Sequence, residues 1–283
     1  MTEIVLQTWN CFGAAQSLRS ALSWRGVVDA HRLDHPEVKR EVAAADIVCM
    51  QEVFLGDAEA FFDGLEHPHK LRDDNRATLW PLTVGGSGLA VASKLPFSSR
   101  AVRPFSRPHV GAERFARKGL LHVRVEIEDG VELDLVTTHM QSGYDDGARR
   151  VRERQLTELR EAVDTLGAED RAFVVAGDLN ICGLAEGRAD EYATIRSVLP
   201  DFTDLGADDD APTFHPHPEV NSLAHRFESS SPKQRVDYVL FRPAARGGPT
   251  PLGCELALSD RLEGHGPTTF ASDHFAVRVR LGL

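Results

Sequence analysis

The stretch GLLHVRVEIEDGVELDLVTTH, residues 119–139, decides the class of fold. Its two halves, Gly119–Glu126 and Val131–Thr138, are rich in Val and Leu and flank Asp129-Gly130. That dipeptide suits a tight hairpin turn because both positions tolerate positive φ. Polar and apolar residues alternate from His122 to Glu126, as they do in a strand with one wet face. The chain then changes period. From Asp145 to Leu166, Ala148, Val151, Gln155/Leu156, Leu159, Ala162/Val163 and Leu166 recur at helical spacing, with Arg and Glu opposite. Ala172–Ala176 is again a short apolar run. A hairpin followed by a helix and another strand predicts an α/β (α+β) chain with two packed mixed sheets and helices outside them.

The same signals extend in both directions. Glu3–Trp9, Asp46–Met50, Gly88–Ser93, Arg235–Phe241 and His274–Leu281 read as strands bounded by Gly, Pro, Asp or Asn, and residues 277–281 alternate cleanly. Weaker helices are expected at Pro36–Ala45, Asp57–Leu65 and Arg188–Leu199, with Pro36 fitting a first turn. Asp208–Pro218 and Arg242–Pro251, rich in Pro, Gly or Asp, read as excursions. No repeat, low-complexity tract or linker divides the chain, so residues 1–283 are expected to form one domain.

Composition narrows the function classes. With 32 Lys and Arg against 43 Asp and Glu, the net charge is −11, which counts against a general nuclease because phosphate binding draws on basic surface. No run approaches about 18 apolar residues, so no transmembrane helix is expected. The N-terminus lacks the pattern of a signal peptide. A cytoplasmic location is expected, or secretion if a leader has been removed. Cys11, Cys49, Cys182 and Cys254 show no C-x-x-C spacing and read as buried thiols.

Six segments set polar residues where an apolar strand ends: Thr8–Cys11, Met50–Val53, Thr138–Gln141, Ala176–Asn180, Arg235–Tyr238 and Ser272–Phe275. Strand ends deliver side chains rigidly to a shared cleft. Taken singly, each has an ordinary explanation: Asn10 as a turn residue, Glu52 as a helix-start acid, His139 as a core histidine, Asp273-His274 as a surface pair. Together they supply hard oxygen ligands for Mg²⁺, a base for water and donors for phosphoryl oxygens, which is what phosphoester hydrolysis requires.

The series Asn10, Gln51-Glu52, His139, Gly177-Asp178-Leu179-Asn180, Asp237-Tyr238 and Ser272-Asp273-His274 resembles the endonuclease/exonuclease/phosphatase superfamily, in order and over residues 10–274. The resemblance implies a four-layer, deoxyribonuclease-like sandwich of two β-sheets flanked by helices. It implies that Glu52, with Asn10 and Asp273, binds Mg²⁺, for which Mn²⁺ or Co²⁺ can substitute. It further implies that Asp237 hydrogen-bonds His274 and raises its pKa, and that Asn180 and His139 donate to phosphoryl oxygens. Asp178 orients water or holds a second metal, and either Asp178 or His274 takes the proton. Arg154-Gln155 lies one helical face below His139 and reads as a solvated face.

Within the superfamily, the sphingomyelinase branch is the most similar. Its resemblance rests on Gly86–Pro96, Phe115–Leu120, Pro212–Ala224, the opening Thr8–Gly13 and Gln51–Phe54. This implies a Mg-dependent phosphodiesterase of sphingomyelinase (phospholipase C) type. Arg117 and Lys118 would contact an anionic headgroup. The chain departs from secreted sphingomyelinases in one respect: residues 242–271 contain Phe270 as their sole aromatic, where those proteins insert an aromatic hairpin into lipid. The expected partner is therefore a soluble phosphodiester or a lipid headgroup presented in another way, with nucleic acid less favoured. Alternatives are a nuclease on DNA or RNA, a phosphatase of inositol or sugar phosphates, and a binding scaffold without chemistry. The intact set Glu52, Asp178, Asp237 and His274 argues against the last. His67-Pro68-His69 and His215-Pro216-His217 read as exposed polar turns, with His215 a candidate for the cleft mouth.

Overall fold

The computed structural model describes residues 2–13, 32–54, 56–74, 76–79, 82–106, 109–110, 113, 117–128, 130–184, 189–208, 211–264 and 270–283, excluding the side chains of 76–79, 82–85 and Ala189. Described strands are β1 (Glu3–Asn10), β2 (Ile47–Gln51), β3 (His69–Arg72), β4 (Arg76–Leu79), β5 (Leu82–Gly85), β6 (Ala90–Ser93), β7 (Phe97–Pro104) and β8 (Gly119–Glu128). They continue with β9 (Val131–His139), β10 (Ala172–Asp178), β11 (Thr203–Asp204), β12 (Asp237–Arg242), β13 (Thr250–Ala257) and β14 (Ala276–Gly282). Described helices are α1 (Pro36–Ala44), α2 (Asp57–Asp63), α3 (Asp146–Leu166), α4 (Ala189–Val198) and α5 (Ser222–Glu228).

Two six-stranded sheets form, in the orders β13-β14-β1-β2-β6-β3 and β11-β12-β10-β9-β8-β7. Both are mixed. β1 pairs parallel with β2, and β9 with β10, while their remaining neighbours run antiparallel. The strands β2 and β10 are apolar on both faces over most of their length, as burial on both sides demands. In β2, Ile47 and Cys49 face the space between the sheets, while Val48 and Met50 pack outward with Val38 and Val42 of α1 and Phe61 and Phe62 of α2. In β10, Val174 and Ala176 face inward, whereas Phe173 and Val175 pack with Leu156, Leu159 and Val163 of α3 and Ile195 of α4. The predicted four-layer sandwich is the observed one.

Differences from the expected elements have local causes. β7 was missed because it is an edge strand with a largely solvent-facing pattern. β13 was missed because Pro251 and Gly253 read as loop. At a sheet edge Pro is tolerated, and a register shift falls between these two residues. The outer face of β8 is wet only toward the hairpin: His122 is buried and hydrogen-bonds Asp134 at 2.9 Å, whereas Arg124 is half-buried and Glu126 exposed. Asp129 of the hairpin turn and Arg188 lie outside the described residues.

Parallel and antiparallel pairing together collect the polar segments at one edge. β1 and β2 run parallel, so Asn10 and Gln51, paired in register, finish side by side, with Glu52 next in the chain. β9 and β10 likewise finish together, with Asp178 opposite His139. β12 runs antiparallel to β10, so its first residue, Asp237, lies opposite Asp178. β14 runs antiparallel to β1, which brings the residues just before it to the same edge. Asp237 and Asp273-His274 therefore stand at strand beginnings rather than ends. His274 precedes β14 and makes a bridge with Phe214.

Candidate active site

The Asn10 side chain joins two carboxylates. Its Nδ2 donates to Glu52 Oε1 and to Asp178 Oδ2, each at 3.2 Å. Its Oδ1 accepts from the Phe12 N–H at 3.1 Å, which fixes the orientation of the amide. Asn10 thus presents nitrogen to the acidic cluster, while the Oδ1 that its expected part as a metal ligand would use is held by the Phe12 N–H. Phe12, Glu52 and Asn180 hold φ values of 55°, 60° and 53°. Left-handed backbone at non-glycine residues is strained, and such strain clusters where function over-determines a turn.

Asp178 is the hub. The Asn180 N–H donates to its Oδ1 at 2.8 Å, and His139 Nε2 lies 3.4 Å from its Oδ2. Burial, then the neighbouring Asp237 carboxylate, push the Asp178 pKa upward. His139 is held well below the usual imidazole range, chiefly by burial and then by the charges of Lys118 and His274, so its ring is neutral. Close approach of β9 and β10 depends on Gly177, which has φ 143°. A Cβ there would meet Thr138 O at 2.0 Å.

The expected Asp237–His274 hydrogen bond is present: His274 Nδ1 donates to Asp237 Oδ2 at 2.8 Å. Burial alone would lower the His274 pKa. The adjoining Asp237 carboxylate, with Asp273 and Asp178, outweighs it and holds the imidazole well above its ordinary range. Asp237 is itself braced by Thr213, whose Oγ1 accepts from the Val236 and Asp237 N–H groups at 3.1 and 3.2 Å. Asp237 Oδ1 is buried with no hydrogen-bond partner among the described residues.

Asp273 is buried, and its carboxyl is pushed up to about 7, first by burial and also by Glu52, against the opposing pull of His274. Its backbone is tied down by Asn221, whose Nδ2 donates to Ser272 O at 3.0 Å and Asp273 O at 3.2 Å. Asn221 Oδ1 also caps α5 by accepting from Leu223 and Ala224 N–H. Ser272 Oγ donates to Asn10 O at 2.6 Å, linking this segment to the end of β1.

This donor set fits a hard divalent cation. Glu52, Asp178 and Asp273 are oxygen donors, two of them held by burial toward protonation, and Asp237 keeps an unbonded buried oxygen. Among the described residues, Asp178, Asp237 and His274 bring one ligand atom each to within 4.8 Å of one another. This second grouping adjoins the first through Asp178.

Other expectations fare differently. Arg117 is exposed, but Lys118 is buried. Lys118 pairs with Glu113 at 2.6 Å and donates to Met140 O, which also accepts from Asn180 Nδ2. Lys118 therefore braces the cleft wall rather than meeting a headgroup. Gln155 is not solvated: it is buried, and its Oε1 accepts from Gln141 N–H at 2.9 Å. With Arg152, which donates to Gln141 O and Gly143 O, it fixes the loop after His139. His67 is buried against Ala45 O, not in an exposed turn, and His69 opens β3, whereas His215 is half-buried and His217 exposed. Cys11 and Cys49 are buried as expected, while Cys182 and Cys254 are half-buried. Phe115 and Ala116 lie outside the described residues. Thr213 and Asn221 were missed as supports although their loop was singled out. Nothing in the sequence marked Arg32.

A model of the Endonuclease/Exonuclease/phosphatase family matches residues 8–274. Sphingomyelinase C of Leptospira interrogans is 28% identical over 153 residues, which is 48% of this chain and 27% of that protein; the match spans about a quarter of the relative's length. Sphingomyelinase C from Streptomyces griseocarneus has a similar structure at 22% identity and TM-score 0.73, covering 99% of both chains. A beta toxin variant from Staphylococcus aureus with bound magnesium ions aligns at 18% identity and TM-score 0.76, over 98% of this chain and 99% of that one. TDP2 of D. rerio, complexed with single strand DNA product, aligns at 17% identity and TM-score 0.72 over 100% of both. At these identities the structural likenesses show the fold. No helix among the described residues is long and apolar enough to cross a membrane.

Proposed function

Since this chain belongs to the endonuclease/exonuclease/phosphatase family, we propose that it is a Mg²⁺-dependent phosphodiesterase of sphingomyelinase type, acting as one catalytic domain. The observation that carries the reading is the joint geometry at the sheet edge. Asn10 bridges Glu52 and Asp178, while His274 is bonded to Asp237 beside them.

Glu52 and Asp273 would hold the cation, with Asn10 keeping Glu52 and Asp178 in place. A bound magnesium ion supplies Lewis-acid stabilisation of phosphoryl oxygens. The chain's own groups do the rest. Asp237 fixes the His274 tautomer by engaging Nδ1, which leaves Nε2 to exchange a proton. Either Asp178 or His274, which stand side by side with Asp237, takes the proton of an attacking water. Neutral His139 beside Asp178, and the second N–H of the Asn180 side-chain amide whose first is given to Met140 O, are the donors for the charge that develops on phosphorus-bound oxygen. Exposed Arg117 is the candidate contact for an anionic headgroup.

The lipid-type substrate is supported by the Leptospira relative and by motifs in the loops around the cleft. The acidic balance counts against nucleic acid, whereas the likeness to TDP2 keeps a nuclease as the second reading. A panel of sphingomyelin, lysophospholipid, plasmid DNA and inositol phosphates, each with Mg²⁺, separates them. Phosphocholine release from sphingomyelin is expected. Plasmid nicking with sphingomyelin untouched would overturn the lipid assignment.

A further inference from the structure

We propose that Arg32 is a positioning residue whose guanidinium sets the distance between the loops carrying Asn10 and Asp273. The pairing of β1 with β14 runs from Glu3↔Gly282 to Thr8↔Val277 and stops there. The chain continues past that point on both sides, into Asn10-Cys11-Phe12 on one and back through Asp273-Ser272-Ala271 on the other. Arg32 spans the gap. Its side chain is fully buried. Nε donates to Ala271 O at 2.9 Å, and one terminal nitrogen donates to Cys11 O at 2.6 Å and Phe12 O at 3.1 Å.

Two consequences reach the carboxylates. On one side, holding the Phe12 carbonyl stabilises the left-handed turn at Phe12, whose N–H engages Asn10 Oδ1. That engagement commits the Asn10 NH₂ group to Glu52 and Asp178. On the other side, holding Ala271 O fixes the start of the Ser272-Asp273 segment, which the Ser272 Oγ bond to Asn10 O fastens again. A planar fork serves both loops at once. A lysine ammonium, a compact point donor on a flexible stem, cannot reproduce that geometry.

The inference rests on the reading that Glu52 and Asp273 hold a divalent cation, and Mn²⁺ binding followed by the free-ion EPR signal tests the two separately. Groups that orient metal ligands typically change affinity or activity by about 10- to 100-fold when replaced. Arg32→Met is expected to weaken Mn²⁺ binding within that range, and Arg32→Lys by less. Added Mn²⁺ should restore much of the Arg32→Lys turnover while KM stays put. Wild-type protein that binds no Mn²⁺ would remove the metal reading itself. Wild-type affinity for Mn²⁺ in Arg32→Lys and Arg32→Met, with the parent protein binding normally, would overturn the positioning claim. Should Arg32→Met not fold, unchanged affinity in Arg32→Lys overturns it alone.

Discussion

His274 gathers most of the site's chemistry into one side chain. Its imidazole is buried and surrounded by Asp237, Asp273 and Asp178, and the attraction of those carboxylates outweighs the cost of burying the charged ring. In metal-free protein its NMR titration should therefore fall above the ordinary histidine value of about 6.5, and Asp237→Asn should bring it down. A raised folded-state pKa stabilises the fold fully below the unfolded value, and this contribution is lost as pH rises through the folded value. A His274 titration unchanged in Asp237→Asn would contradict the pairing. His274→Ala is expected to lower kcat/KM by roughly 10²- to 10⁴-fold, the usual share of a proton-transfer group, as read by steady-state kinetics. Most of these residues were legible in sequence because each ends or begins an apolar run. The conduct of Asn10 and Lys118 was not, since amide orientation and burial depend on partners far along the chain, Asp178 for one and Met140 for the other.

At the scale of elements, buried polar residues that carry no chemistry tie strands and loops together. Asp134 on β9 is buried and accepts from His122 Nε2, Arg124 Nε and Arg171 Nε at 2.8–2.9 Å. Burial alone would raise its pKa, but these hydrogen bonds win and hold it below the usual carboxylate range. Asp134→Ala would leave the half-buried Arg124 and Arg171 without their carboxylate and the buried His122 Nε2 without its partner, at a cost of about 1–3 kcal/mol in urea unfolding. The wild-type contribution is present above the unfolded carboxylate pKa and is lost as pH falls through the lower folded value, so the variant should show a weaker acid dependence. Asn221→Ala removes the α5 cap, worth about 0.5–2 kcal/mol, and loosens Asp273. Its turnover should therefore fall by more than Asp134→Ala causes at equal stability, a comparison that kinetics beside thermal melts can make. Strands buried on both faces, such as β2 and β10, were readable as apolar runs. Edge strands β7 and β13 were not, because an exposed edge relaxes the pattern that identifies a strand.

At the scale of the molecule, two mixed sheets bring residues from 10 to 274 to one edge, and this is why the site was legible only as an ordered set. No single segment carries enough pattern to define it. The acidic charge and the match of one family over residues 8–274 belong to this scale too. The central claim is that this edge cleaves phosphodiesters with the help of a divalent cation, whatever the natural substrate. Hydrolysis of bis(p-nitrophenyl) phosphate, with Mg²⁺ and then with excess chelator, tests it most directly in wild type and His274→Ala. The geometry predicts turnover that needs Mg²⁺ and is nearly abolished in the variant; undiminished hydrolysis in chelator, or in His274→Ala, would contradict it.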